Sequence, residues 1–240
     1  MIECFREYRC AEGRNYEAFV SSPQEVAAPT VLLLHHWAGQ TSDTHDIARA
    51  LSAIGFTVVA LDVYGSGLRG TSPDQCLALM APLMQHRHVL ADRLRAGLSF
   101  ARSQPEVDET RMVALGHCFG GLCALDIARL NLGVKGVISV HGVLTPPEAG
   151  ATCETIGARV LVLHGDRDPM APRAEELAFR EEMTVRSAEW EVQIFGHAMH
   201  AFTWPGADLP DQGLQFHPMA AARSQKAIAQ FLQECIGSPA

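Results

Sequence analysis

Cys118 stands in the stretch Gly116-His-Cys-Phe-Gly-Gly121, between a short apolar run and an amphipathic segment. Small residues two places before and two places after a nucleophile let the backbone turn sharply and expose the side chain between them. A helix beginning at about Phe119 aims its partially positive end at the thiol and favours the thiolate. A thiolate so held suits covalent attack on an acyl carbon. The competing reading is a buried structural cysteine beside a glycine-rich turn. Placement after a strand and before a helix favours the nucleophile.

Such a nucleophile needs a base and a group to orient the base, in the chain order nucleophile, acid, histidine. Asp168, in His164-Gly-Asp-Arg-Asp168, follows an apolar run and is expected to be the orienting acid, with Asp166 as its rival for that role. His200, in Gly196-His-Ala-Met-His200, is expected to be the base, with His197 as its competitor. The HxxH spacing of those two histidines is also half of a metal site, but no cysteine or carboxylate set accompanies it, so no metal is expected. Acyl transfer further requires two amide donors for the oxyanion. The N–H of Phe119 directly follows the nucleophile, and the second donor is expected from the loop His35-His-Trp-Ala-Gly39, at Trp37. His36 is read either as facing the pocket or as bracing its loop. His86 and His88 are read as surface residues.

These residues have to be carried to one place. Val31–Leu34, Thr57–Leu61, Met112–Leu115, Val137–Val140, Val160–Leu163 and Trp190–Phe195 have strand length, and all but the last lack polar alternation. Amphipathic stretches near Thr44–Ile54, Asp74–Arg102, Phe119–Leu130, Arg173–Val185 and Pro218–Cys235 alternate with them, and Pro82 is expected to kink or divide the longest. Residues 1–21 read as an antiparallel edge hairpin turning at Glu12-Gly-Arg-Asn15. The pattern predicts an α/β fold with a mostly parallel central sheet and helices on both faces, in one domain spanning 1–240. Ligands bind beyond the carboxyl ends of such strands. His35 and His36, Cys118, Asp166 and Asp168, and His197 and His200 all follow strand-like runs.

Composition narrows the partner. The net charge of −8 argues against sequence-independent nucleic-acid binding, which needs clustered cations. No apolar run is long enough to span a bilayer, and the polar start does not resemble a secretory signal. The seven cysteines are scattered and odd in number, as suits a reducing cytoplasm. A small molecule is the expected partner, with neither membrane nor nucleic acid involved.

Gly116-His-Cys-Phe-Gly-Gly121, Gly165-Asp-Arg-Asp168, His200-Ala-Phe202 and Leu61-Asp-Val-Tyr-Gly65 together resemble the dienelactone hydrolase family of α/β-hydrolases along nearly the entire chain. The resemblance implies a Cys118, Asp168, His200 triad, oxyanion donors at Trp37 and Phe119, and hydrolysis of ester or lactone bonds without cofactor or metal. The founding members carry a glutamate where this chain has His36, and arginines that grip a substrate carboxylate. One of those arginines follows the catalytic histidine, where this chain has Phe202, Thr203 and Trp204. A more apolar acyl or lactone substrate is therefore expected, shaped by Trp37, Phe119 and Trp204, with His36 and Trp204 as substrate-binding residues. Thioester hydrolysis or acyl transfer, and a non-catalytic redox-responsive role for Cys118, are the alternatives.

Overall fold

The computed structural model describes residues 1–10, 13–147 and 154–237, so Glu12 of the expected hairpin turn and Cys153 lie outside the described residues. Strands β1 (Ile2–Arg9), β2 (Asn15–Ser22), β3 (Ala28–Leu34), β4 (Thr57–Leu61), β5 (Val107–His117), β6 (Gly136–Val140), β7 (Arg159–Gly165) and β8 (Trp190–Phe195) form one sheet. Its order is β1-β2-β4-β3-β5-β6-β7-β8. β1 and β2 make the expected antiparallel hairpin, with Ile2 opposite Ser22 and Arg9 opposite Asn15, and β2 joins β4 antiparallel. From β4 to β8 every pairing is parallel.

The apolar runs lack alternation because both faces of the sheet are covered. β3, APTVLLL, is buried at every position, and each such Val or Leu contributes about 1.5–3 kcal/mol when fully buried. Successive side chains point to opposite faces. Leu32, Leu34, Val160 and Val162 face a core completed by helices α3 (Arg87–Arg102), α4 (Phe119–Arg129) and α5 (Arg173–Val185). Leu33, Leu161 and Leu163 face a second core completed by α1 (Ser42–Ala53) and α6 (Pro218–Ile236). The remaining helix, α2 (Pro73–Gln85), leads into α3.

Three local features differ from expectation. Pro82 lies inside α2, and the break between α2 and α3 falls at His86, whose N–H still donates to the Pro82 carbonyl at 2.9 Å. The donor that Pro82 removes would have served the carbonyl of Ala78, an exposed residue open to solvent, and the helix runs on. β5 extends well before Met112, starting at Val107. A short pair, β9 (Asp208–Leu209) and β10 (Leu214–Gln215), follows β8; two-residue strands leave no hydrophobic period to read. β8 alternates because it is the edge strand, with exposed Glu191 and Ile194 beside buried Phe195. No helix among the described residues is long and apolar enough to cross a membrane.

Candidate active site

Cys118 sits between β5 and α4 with φ 55° and ψ −120°, a conformation that L residues rarely adopt. The glycines around it make this turn possible. A Cβ at Gly116 would run into the Gly120 carbonyl, and one at Gly120 into the carbonyl of Leu34. The Cys118 N–H donates to Val140 O at 3.0 Å, while its own carbonyl accepts from Gly121 N at 2.9 Å. The backbone is thereby pinned on both sides, and the half-buried thiol projects from the start of α4. Strain over-determined by its surroundings is common at reactive positions.

Asp168 and His200 meet from the ends of β7 and β8. His200 Nδ1 lies 2.8 Å from Asp168 Oδ2, and the Met170 N–H donates to the other carboxylate oxygen at 2.8 Å. Both residues are buried, whereas Asp166 and His197 are exposed. The loops that carry the pair are laced together: Arg167 N–H donates to Ala198 O at 2.9 Å, and His200 N–H to Gly213 O at 2.9 Å. A Cβ at Gly165 would sit 2.6 Å from Ala198 O, so the glycine lets these loops close. The short β9–β10 pair has a purpose here, since Leu214 bridges His200.

With Nδ1 committed to Asp168, His200 Nε2 is buried without a conventional hydrogen bond. Burial by itself disfavours the imidazolium, but Asp168 and then Cys118 outweigh it and push His200 from 6.5 up to about 10.

The loop after β3 is rigid. The Tyr64 hydroxyl donates to Trp37 O at 2.9 Å, and Gly70 N–H to Ala38 O at 2.9 Å. His36 accepts from Ala38 N–H at its Nδ1 (3.2 Å) and meets Thr41 Oγ1 at its Nε2 (3.3 Å). Both ring nitrogens thus brace the loop, and burial pulls His36 below its ordinary value, opposed by Asp43. The bracing reading of His36 is the one its contacts match. The Phe119 ring is only 1% exposed and stacks on Tyr64 at 5.7 Å, so its side chain belongs to the core and does not shape a substrate pocket. Its backbone N–H, in the first turn of α4, has no intrahelical partner. Trp204, 54% exposed, lies on the loop beyond His200, and among the described residues no hydrogen bond or ring contact joins it to Cys118, Asp168 or His200. His86 and His88 are exposed, as expected.

The fold adds three histidines that sequence reasoning passed over. His117, His141 and His164 end β5, follow β6 and end β7, and burial lowers the pKa of each, His117 to about 4. The signal was available, because each lies at the carboxyl end of a strand. His35 is also buried, donating from Nδ1 to His36 O (2.8 Å) and accepting Val63 N–H at Nε2 (3.2 Å), which ties the β3 and β4 loops together. Among the described residues no cluster of His, Cys, Asp or Glu is arranged to hold a metal ion.

The model of the dienelactone hydrolase family matches residues 16–236. The Caenorhabditis elegans protein K02A2.1 is 40% identical over 148 residues, which cover 60% of this chain and 93% of that protein. Among solved structures, m3DLH is 29% identical with a TM-score of 0.88, covering 98% of this chain and 99% of its own. The dienelactone hydrolase-like promiscuous phosphotriesterase P91, from metagenomic libraries, is 27% identical with a TM-score of 0.89, covering 99% of this chain and 100% of its own. The mostly parallel eight-stranded sheet is the α/β-hydrolase fold of these neighbours. Matched along residues 16–236, and carrying a thiol on a strained turn opposite a buried carboxylate–imidazole pair, this chain belongs to the dienelactone hydrolase family and is a carboxylic ester or lactone hydrolase.

Proposed function

We propose that the chain cleaves a small ester or lactone through a Cys118–His200–Asp168 triad and an acyl-cysteine intermediate. The observation that carries this reading is the 2.8 Å bond between Asp168 Oδ2 and His200 Nδ1, with Cys118, a thiol on a strained turn, interacting with the same imidazole. The thiolate of Cys118 attacks the carbonyl carbon, and the oxyanion is held by the N–H groups of Phe119 and Trp37. The C–O bond then breaks, and the leaving oxygen takes the proton from the His200 imidazolium. Once the thioester forms, the negative charge on Cys118 is gone and only Asp168 still favours the imidazolium. His200 can then take a proton from water, whose oxygen attacks the thioester and expels Cys118 as thiolate.

The substrate we propose is neutral and apolar at its acyl end. Leu79, Met80 and Met84 of α2, Val143 and Cys118 are partly buried against one core. Arg87 is paired with Asp126, at 2.8 Å from its Nε, and Arg93 donates to Val63 O at 2.7 Å. Arg69 is bonded to Gln40 O and Leu68 O. Neither Arg69 nor Arg87 is left to grip a substrate carboxylate, and Arg93 is buried with its Nε unpartnered. A cytoplasmic location belongs to the same proposal and rests on the seven scattered cysteines, odd in number and without close CxxC pairing.

The test is steady-state hydrolysis of p-nitrophenyl butyrate and of the corresponding succinate half-ester. The wild type is expected to favour the neutral ester, Cys118→Ala to lose turnover of both, and Cys118→Ser to retain a weak rate. Full activity in Cys118→Ala would remove the acyl-cysteine from the account.

A further inference from the structure

His141 follows β6 in a left-handed conformation, φ 38°, and is 3% exposed. Its ring stands edge-on to that of His200, with centroids 5.0 Å apart and planes at 65°. It packs in the same manner against Phe202 at 5.2 Å, and lies 5.7 Å from the His117 ring. His141 Nε2 is hydrogen-bonded to Thr203 Oγ1 at 2.8 Å, and its backbone N–H donates to Leu163 O at 2.8 Å. One residue thus connects β7 to the segment that carries His200, and touches the His200 ring itself.

We infer that His141 is a positioning residue, holding the His200 imidazole in the plane that aims Nε2 at Cys118 through its ring contact and its bond to Thr203. The inference rests on the triad proposed above. Its physical basis is a missing constraint. A single strong bond from Nδ1 to Asp168 sets where the His200 ring begins but leaves it free to turn about that bond, and the interaction with the Cys118 sulfur is a weaker hold than a conventional hydrogen bond. Edge-to-face packing at 5.0 Å resists that rotation. The backbone after His200 turns through Ala201 at φ 56°, and the Thr203–His141 bond adds a side-chain anchor to the backbone hydrogen bonds that His200 and Phe202 make with Gly213, Gln215 and His217.

His141 also has to be uncharged to do this, because a second cation against the His200 imidazolium would expel its proton. The neighbouring imidazoles of His200, His117 and His36 all disfavour its cation. Burial and those rings hold it well below its ordinary value. Thr203, a neutral hydroxyl, is the matching partner.

The experiment compares wild type with Thr203→Val, His141→Phe, the double variant and His200→Ala. It follows the rate of iodoacetamide alkylation at the Cys118 peptide against pH, together with kcat and KM for p-nitrophenyl acetate. Thr203→Val deletes only the anchoring hydroxyl and keeps the core filled, so it decides the matter even if His141→Phe fails to fold. We expect Thr203→Val and His141→Phe to lower kcat by about 10- to 100-fold with KM within about twofold. The alkylation profile should move to higher pH, and the double variant should be no worse than His141→Phe. Variants with lowered thermal stability but the wild-type alkylation profile and kcat would overturn the inference and leave the triad standing. Wild-type alkylation no faster than that of His200→Ala would overturn the triad and the inference together.

Discussion

Asp168 is doubly engaged, accepting the Met170 N–H at one oxygen and facing His200 Nδ1 with the other. Its charge is therefore fixed in direction, and its effect on His200 can be read with a sign. The folded pKa of His200 is raised from 6.5 to about 10, so the stability it contributes is complete below about pH 6.5 and is lost as pH rises through about 10. Asp168→Asn is expected to flatten that alkaline decline in the urea midpoint, and to lower kcat/KM by about 10⁴-fold through loss of the imidazolium and its orientation. An unchanged decline would assign the proton to another group. At this scale the sequence was legible where chain order constrained chemistry: Asp168 and His200 are the members of their candidate pairs that the fold buries together, while Asp166 and His197 face solvent. It was illegible where a role depends on what a ring touches. The contacts of His141 and the bracing by His36 arise from tertiary packing that no spacing encodes.

The turn from β5 into α4 is the element on which the account depends. It requires two backbones to pass closer than any side chain allows: a Cβ at Gly120 would meet the Leu34 carbonyl and lie 2.9 Å from the His35 carbonyl. Both partners are backbone atoms of the strand and loop that present Trp37, so neither can swing aside without moving the proposed oxyanion donors. Gly120→Ala is expected to cost about 3 kcal/mol or more, seen as a lowered urea midpoint, with activity lost in whatever fraction folds. Wild-type stability in this variant would show that the turn has slack. Strands and helices were largely legible because a parallel sheet covered on both faces demands uninterrupted apolar runs, as at Thr57–Leu61. The break at His86 was not legible at its true position, since Pro82 costs little where the carbonyl it deprives faces water.

Across the whole molecule, the sheet works as an address. The loops after β3, β5, β7 and β8 carry Trp37, Cys118, Asp168 and His200, which are separated by as much as two thirds of the chain, and the proposed site draws on all four. The net charge of −8 and the engagement of Arg69 and Arg87 with partners within the protein are the grounds on which a neutral substrate, rather than an anion, is proposed. The absence of an arginine shortly after His200, where Phe202, Thr203 and Trp204 stand, is visible in the sequence alone, but only the structure shows how Arg69 and Arg87 are engaged. The central claim is that acyl transfer passes through Cys118. The measurement that tests it most directly is the intact mass of the protein in the first moments after mixing with p-nitrophenyl butyrate, in wild type and in Cys118→Ala. The account predicts a butyryl adduct on the Cys118 peptide of the wild type, formed with a burst of p-nitrophenol and absent from the variant. Turnover without any adduct, or an adduct that persists in Cys118→Ala, would contradict it.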